Sequence, residues 1–261
     1  MIEWNLNPIV FSFGYFRVNY YLILMIIAFV IGYYILIRLA KERDLDENVI
    51  HEFSIYALLG IIIGARLFHV FVYSYDYFIE NPIKIFYIWN GGLASHGAVI
   101  GGALAAFIYT RIKKISFYEI ADILAISVTL GAVFIRIGNF TNSEIVGRIT
   151  EVPWCVKFLL ADPVNCRHPS QVYEALKNLF LFVFLFKIRN YKLPKGFLFW
   201  LSIFGFSLLR FFVEFYKERL LLGYEYIFDI GQYISLILIV ISGIILIFIW
   251  KKYKKDIYSK H

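Results

Sequence analysis

Residues 18–39 read VNYYLILMIIAFVIGYYILIRL, and Arg38 is the only one of them that is charged at neutral pH. About 20 apolar residues are enough to cross about 30 Å of hydrocarbon as a helix. Only helices and closed barrels satisfy their backbone groups in lipid, and this stretch lacks the alternation of a barrel strand. It therefore predicts a transmembrane helix. No positive n-region or small-residue cleavage site flanks it, so we expect it to stay as a span rather than act as a signal peptide.

The same pattern recurs along the chain. Of its 261 residues, 61% are hydrophobic and 17% charged, whereas soluble domains carry about 45–50% apolar and about 25% charged residues. This composition excludes a disordered chain, a coiled coil and a disulfide scaffold. We expect one all-α, polytopic membrane domain over residues 1–261, with outer segments at roughly 1–17, 74–90 and 140–169. The seven predicted helices cover roughly 18–39, 50–73, 91–110, 119–136, 170–188, 196–216 and 226–250.

Positive charges concentrate in every second connection and in the carboxyl-terminal tail, at 38–43, 111–114, 187–195 and 251–260. Short loops rich in Lys and Arg stay on the cytoplasmic side. The pattern therefore predicts an amino terminus outside and a carboxyl terminus in the cytoplasm. Anionic lipid of the inner leaflet accounts for the net charge of +7, so no nucleic-acid partner is required.

Each predicted helix carries a polar residue near its outer end. Ionisable groups at membrane depth are costly unless paired or hydrated, so they mark a candidate site. Because guanidinium groups bind phosphate well, this layer predicts recognition of an anionic lipid head group. We assign the inner acids Glu52, Glu119 and Asp122 to helix starts. The predicted layer comprises Tyr20, Arg66, His96, Arg136, Gln171, Tyr173, Glu174, Arg210, Glu214 and Gln232.

The densest polar cluster is RIGNFTNSEIVGR at 136–148. If the fourth helix continues for one more turn, the i, i+3 spacing places Arg136 and Asn139 on one face, with Asn142 beside them. Gly138 leaves room for a close approach to the backbone. The alternative is a helix end with polar caps and a turn. The attachment of Arg136 to an apolar helix favours a binding site.

The stretch RHPSQVYE at 167–174 has two interpretations that the sequence leaves open. Ser170 and Glu174 suit the start of a helix, where they would cap amides and complement the dipole. They also suit a site. Cys155 and Cys166, eleven residues apart in the predicted outer segment, are similarly open between a disulfide and two free thiols.

A glycine-rich stretch, GGLASHGAVIGG at 91–102, opens the third helix. Small residues spaced by four, here Gly97 with Gly101 and also Gly60 with Gly64, predict close helix packing. His96 heads the span, where a neutral imidazole could act as a base, although an interfacial hydrogen-bonding role is the alternative. His69 is its candidate neighbour. No role is assigned to His51, His168 or His261.

These motifs, taken in order, resemble a known family. SHG at 95–97, RIGNFTNSEIVGR at 136–148, RHPSQVYE at 167–174 and RFFVEF at 210–215 are similar to motifs of the prolipoprotein diacylglyceryl transferases. GARL at 64–67 and the Tyr20 region fit as well, so the resemblance covers nearly the whole chain. The sequence departs from the family pattern at Ala98, Ser143, Lys217 and Ile230, where family members commonly have another residue, for example Gly at 143 and Arg at 217.

The resemblance implies an enzyme of the bacterial inner membrane that works without metal or cofactor, with a site facing the outer leaflet. It would transfer the sn-1,2-diacylglyceryl group of phosphatidylglycerol to the lipobox cysteine of a prolipoprotein signal peptide and release glycerol 1-phosphate. The implied catalytic residues are His96, Arg136 and Arg210. Arg66 and Asn142, from the polar layer and the 136–148 cluster, join the implied substrate-binding residues Tyr20, Arg136, Asn139, Glu144, Gly147, Arg210 and Glu214.

Other classes of protein use similar features. A lipid or anion transporter could use the same arginine layer without breaking a bond. A seven-helix retinal receptor is excluded, because residues 226–250 contain no Lys for a Schiff base. Membrane lipids are expected partners, and the oligomeric state stays open.

Overall fold

The computed structural model describes residues 2–14, 16–218 and 227–258. Most of this chain is helical. The helices are α1 (Tyr20–Lys41), α2 (Glu47–Phe68), α3 (Tyr75–Glu80), α4 (Ser95–Ile112), α5 (Phe117–Thr141), α6 (Ser170–Ile188), α7 (Phe197–Glu214) and α8 (Ile230–Tyr258). The strands are β1 (Ile2–Trp4), β2 (Ile9–Phe13), β3 (Phe16–Asn19) and β4 (Val156–Phe158).

Each of the seven predicted windows contains a helix, but only five of these helices are long and apolar enough to cross a membrane. The five are Tyr20–Lys41, Glu47–Tyr73, Phe117–Thr141, Phe197–Glu214 and Ile230–Ile257. The other two are α4, which begins with a Ser-His-Gly sequence, and α6, which carries Gln171, Glu174, Lys177 and Asn178. A mostly helical fold with several helices capable of spanning a membrane is therefore confirmed, while the count of seven and the orientation stay predictions.

Of two helix ends close to predicted site residues, that of α5 lies beyond its expected position, whereas the helical region that begins with α2 ends at Tyr73, as predicted. The α5 helix runs to Thr141, past the predicted end at residue 136, and thereby includes the start of the polar cluster. The α2 helix passes into a π-helical turn, His69–Tyr73. Residue 226, predicted to begin the last span, and His261 lie outside the described residues.

The four short strands were not part of the all-α prediction. In the amino-terminal segment, β2 and β3 form an antiparallel hairpin directly before α1, and β1 pairs in parallel with β4. The ring of Trp4 lies 4.6 Å from that of Phe140, which lies 5.4 Å from that of Phe158. These contacts attach the start of the chain to the segment after α5.

The chain divides into two compact units, Ile37–Ile120 and the remainder. In the first, α2 packs against α4 through the glycines predicted to do so. A Cβ atom on Gly64 would collide with the carbonyl oxygen of Gly97, and one on Gly101 with that of Gly60. The close approach of the two backbones therefore requires glycine, which confirms the packing interpretation of these residues.

The second unit consists of Met1–Leu36 and Ala121–His261. Here α7 packs against both α6 and α8. Asp122, which we assigned to the start of its own helix, instead accepts hydrogen bonds from the backbone N–H groups of Gly196 (2.9 Å) and Phe199 (2.8 Å). Its role is structural, as expected, but it caps the start of α7.

Candidate active site

Arg136 and Asn139 lie on one face of the last turns of α5, as the spacing predicted. The Arg136 guanidinium faces the amide oxygen of Asn139, with 3.5 Å between Nη1 and Oδ1. The ring of Tyr21, a residue that we did not single out, packs against Gly138, where an added Cβ would come within 2.8 Å of Cδ2. Gly138 therefore does accommodate a close neighbour.

The Glu144 carboxylate is held by the two asparagines of the same cluster. Asn139 Nδ2 donates to Oε2 at 3.1 Å, and Asn142 Nδ2 donates to Oε1 at 3.2 Å. The backbone turns sharply between these residues, because Ser143 and Ile145 have φ angles of 56° and 53°. Three predicted site residues of this cluster, Asn139, Asn142 and Glu144, are thus brought together.

The RHPSQ stretch holds this turn in place. Ser170 donates a hydrogen bond to the carbonyl oxygen of Ile145 at 2.7 Å, and Gln171 donates to that of Glu144 at 2.6 Å. No side-chain cap is present at the start of α6, where Pro169 is the capping residue. Of the two interpretations left open, the contacts therefore favour a part in assembling the site over simple capping.

Gly147 lies where three backbone segments cross. Its N–H donates to the His168 carbonyl at 3.0 Å, and an added Cβ would lie 2.5 Å from that oxygen and 2.6 Å from the Tyr216 oxygen. No larger residue fits without movement of the backbone. These contacts explain the need for glycine through packing, and direct substrate binding by Gly147 stays a prediction.

A disulfide and an arginine hold the segment between α5 and α6 together. Cys155 and Cys166 are bonded to each other, which resolves the alternative left open by the sequence. The buried Arg167 donates to Gly147 O and to carboxylate oxygens of Asp162 (2.7 Å) and Glu218 (3.0 Å). Hydrogen bonds from the Asn165 backbone and from Arg167 lower the pKa of Asp162, so this carboxylate stays charged.

A chain of ion pairs connects Arg136 to Arg210. Glu174 Oε2 lies 3.8 Å from Arg136 Nε, and Glu174 Oε1 lies 2.7 Å from Lys217 Nζ. Lys217 Nζ also lies 3.1 Å from Glu214 Oε2, which lies 3.6 Å from Arg210 Nε. The two arginines predicted to bind phosphate therefore belong to one electrostatic network across α5, α6 and α7.

Burial differs along this network. The side chain of Glu174 is 1% exposed and that of Lys217 11%, whereas Arg136 is 22% and Arg210 36% exposed. Gly231 of α8 approaches the Glu214 carboxylate so closely that an added Cβ would lie 2.6 Å from Oε1. The carboxylates are thus enclosed by protein, while the guanidinium groups form the accessible ends of the network.

In the Ile37–Ile120 unit, His96 is exposed at the start of α4. Its Nδ1 lies 3.3 Å from the hydroxyl oxygen of Tyr73, and its ring stacks on Phe68 at 5.9 Å. Tyr73 also contacts the ring of His69, so it connects the two histidines. Whether His96 acts in catalysis stays a prediction.

Arg66 has contacts that the sequence did not suggest. Its guanidinium donates to backbone carbonyls within 84–92, including Ile85 (2.8 Å), Gly91 (2.6 Å) and Lys84 (2.6 Å). Only 7% of the residue is exposed. Arg66 therefore orders the segment before α4, and its expected contact with substrate stays a prediction. The expected substrate contact of Tyr20, whose N–H donates to the Pro8 carbonyl oxygen at the start of α1, also stays a prediction.

Sequence reasoning missed Lys177 and noted Lys217 only as a departure from the family pattern. Their importance comes from the partner that they share, Glu174, and the only available signal was the presence of lysine on or beside an apolar helix. Within residues 2–14, 16–218 and 227–258, no group of three or more His, Cys, Asp or Glu residues is placed to hold a metal ion.

Five long apolar helices in the described residues, and a charged network buried among α5, α6 and α7, are typical of an integral membrane protein with a polar site suited to an anionic ligand. A model of the prolipoprotein diacylglyceryl transferase family matches residues 8–249. The chain belongs to this family.

Several relatives are named phosphatidylglycerol–prolipoprotein diacylglyceryl transferase. The one from Tolumonas auensis is 36% identical over 259 residues, which cover 97% of this chain and 99% of that protein. The one from Geobacter sulfurreducens is 36% identical over 217 residues, 82% of this chain and 83% of that protein. The one from Bacteroides fragilis is 33% identical over 267 residues, 96% of each.

The positive φ of Ser143 leads to a stability prediction. A side chain in this region costs about 1–2 kcal/mol, and glycine avoids the cost but loses about 0.4–1 kcal/mol through the unfolded state. The Ser143 hydroxyl also has no hydrogen-bond partner among the described residues. Ser143→Gly should therefore stabilise the fold by up to about 1 kcal/mol, measured by thermal unfolding in detergent.

Ser127→Gly, in the middle of α5, is the matched control. Glycine within a helix costs about 1 kcal/mol, so this variant should be destabilised. Equal losses of stability in the two variants would show that strain at Ser143 is unimportant.

Proposed function

We propose that this chain transfers the diacylglyceryl group of phosphatidylglycerol to the lipobox cysteine thiol of a prolipoprotein. The observation that carries the proposal is the ionic network that joins Arg136 to Arg210 and leaves both guanidinium groups as its accessible ends. The names of relatives that align with nearly the whole chain supply the substrates, phosphatidylglycerol and prolipoprotein.

The chemistry follows from the charges. The cysteine thiolate attacks the glycerol carbon that carries the phosphate ester, so a carbon–sulfur bond forms and the carbon–oxygen bond breaks. The electron pair of the broken bond goes to the phosphate oxygen, and glycerol 1-phosphate leaves. Negative charge thus accumulates on the leaving phosphate, where fixed guanidinium groups in a poorly hydrated site stabilise it.

The thiol needs a base, since a free cysteine with a pKa near 8.5 is mostly protonated at neutral pH. His96 is the candidate, because it is exposed and its Nδ1 faces a tyrosine hydroxyl that can orient the ring. A group of polar side chains beside Arg136, here called the polar wall, could bind glycerol hydroxyls. It consists of Asn139, Asn142 and Glu144. Glu214 positions Arg210.

The topology and location are part of the proposal. We place the protein in the bacterial cytoplasmic membrane as a single seven-span domain, with the amino terminus and the site outside and the carboxyl terminus inside. The distribution of Lys and Arg supports this orientation, and the helical form of α4 and α6 supports their assignment as the remaining spans. Polar residues in α6 face protein partners, which is how a span can tolerate them.

A direct assay tests the function. Purified protein in liposomes with phosphatidylglycerol and a lipobox peptide should attach lipid to the peptide cysteine and release glycerol 1-phosphate. Movement of lipid or anion across the bilayer without either product would instead support the transporter alternative, for which the comparisons provide no support. Absence of both activities in folded protein would count against the proposal.

Replacement of both arginines by lysine tests recognition of the phosphate. Lysine keeps the charge but loses the planar fork. The Arg136→Lys/Arg210→Lys variant should therefore be folded but at least about 100-fold slower in lipid attachment. Arg111→Lys, in the last turn of α4, is the control and should keep the parental rate. Near-parental turnover in the double variant would argue against bidentate binding.

His96→Gln tests the base. If the imidazole accepts the thiol proton, the variant should lose most of its rate near neutral pH and recover part of it in alkaline buffer, where the thiol ionises by itself. The measurement is the rate of lipid attachment over about pH 6–9. A variant that keeps most of its rate over this range would exclude His96 as the base.

Thiol labelling in intact cells tests the orientation. Lys84→Cys lies before α4 at a partly exposed position, and Lys192→Cys lies between α6 and α7 at an exposed one. A membrane-impermeant maleimide should label residue 84 directly and residue 192 only after permeabilisation. The native cysteines are joined to each other and should give little background. The reverse pattern would invert the topology.

A further inference from the structure

Lys177 is a buried cation that the proposed reaction does not use. It lies one turn after Glu174 on α6, and its side chain is 3% exposed. Its Nζ lies 2.5 Å from Glu174 Oε2 and 4.0 Å from the centre of the Phe206 ring. Because taking an ammonium group out of water costs several kcal/mol, its position requires a compensating partner, and Glu174 supplies one.

The cations around Glu174 share its carboxylate unequally. Lys177 is close to Oε2, and Lys217 Nζ is 2.7 Å from Oε1. Arg136 is farther away, with its Nε 3.8 Å from the same oxygen, Oε2, that Lys177 contacts. Each oxygen of the Glu174 carboxylate thus has a lysine as its nearest cation, and Arg136 lies farther from the carboxylate than either lysine.

This arrangement affects what Arg136 can bind. A buried carboxylate beside an arginine ordinarily forms a bidentate pair, which occupies the guanidinium fork and neutralises its charge. Here a lysine ammonium group lies close to each oxygen of the Glu174 carboxylate, and the contact from Arg136 Nη1 to Asn139 Oδ1 is also long, at 3.5 Å. Glu174 therefore does not form a close bidentate ion pair with the Arg136 guanidinium.

We propose that Lys177 is a positioning residue which, together with Lys217, holds the Glu174 carboxylate and so keeps the Arg136 guanidinium available to the phosphate of the lipid substrate. This inference rests on the proposed function, because it explains how the Arg136 guanidinium stays available to bind that substrate. Lys177 itself is too deeply buried to contact the phosphate.

The charge balance of the network supports the same conclusion. It contains four cations, Arg136, Lys177, Lys217 and Arg210, and two carboxylates, Glu174 and Glu214, which leaves an excess of two positive charges. Glu144, held by Asn139 and Asn142, reduces the excess to one. The lipid phosphodiester carries one negative charge, and the leaving monoester approaches two. Loss of the Lys177 charge would lower the excess positive charge of the network by one.

Lys177→Met is the direct test, since methionine has similar length and no charge. Glu174 should then pair closely with Arg136, and the KM for phosphatidylglycerol should rise about tenfold, equivalent to one charge-assisted contact, with a smaller change in kcat. Lys177→Arg should keep the parental KM. Lys187→Met, exposed at the end of the same helix, is the matched control and should be unchanged.

A second substitution separates positioning from packing. A glutamine at 174 does not attract Arg136, so the Glu174→Gln/Lys177→Met variant should have a lower KM than Lys177→Met alone. If Lys177 served only to fill space, the double variant would be no better than the single one. Should Lys177→Met fail to fold, Glu174→Gln is compared with the double variant. Neither has a carboxylate at 174 that could pair with Arg136, so their KM values should differ by much less than about tenfold, and a tenfold difference would contradict the inference.

Lipid binding, measured without turnover, distinguishes a failure of the Lys177 inference from a failure of the proposed function. Retention of phosphatidylglycerol by native mass spectrometry should be weaker in folded Lys177→Met than in the parent. Parental retention and parental KM in that variant would overturn the inference. A parent that binds phosphatidylglycerol but never attaches it to the peptide would instead overturn the proposed function, and the binding comparison would still test Lys177.

Discussion

The candidate site depends on one buried carboxylate, that of Glu174, which is shared by cations from three segments of the chain. Lys177 comes from the same helix, Arg136 from α5, and Lys217 from the residues just after α7. A charge buried at 1% exposure is stable only when its partners are held around it. The ion pairs therefore fix the ends of these helices together, and they set the positions of Arg136 and Arg210.

The segment between α5 and α6 extends this constraint to the polar wall beside Arg136. The disulfide and the buried Arg167 hold the segment, and Ser170 and Gln171 bind the carbonyls of the turn that carries Glu144. Backbone hydrogen bonds and glycine packing at Gly147 complete the arrangement. A loop of this length keeps a defined shape because side chains satisfy its buried carbonyl groups.

Features with a local cause could be predicted from the sequence. The i, i+3 spacing placed Arg136 beside Asn139, and four-residue glycine spacing identified the packing of α2 on α4, because both follow from helix geometry. Arg66 was different. It was expected to bind phosphate, yet its donors bind carbonyls of residues 84–92, since a long side chain can reach whatever segment folds back over it.

The sequence by itself determined the membrane class, the approximate positions of the helices and the family, because hydrophobic length and short ordered motifs are properties of consecutive residues. The tertiary structure alone decided which charges are paired. Lys177 and Lys187 are both lysines of α6, but only Lys177 is buried beside Glu174, while Lys187 is exposed in the last turn. The difference arises from the packing of α6 against its neighbours. Ion pairs between helices depend on that packing and on distances of a few ångströms, which residue order does not specify.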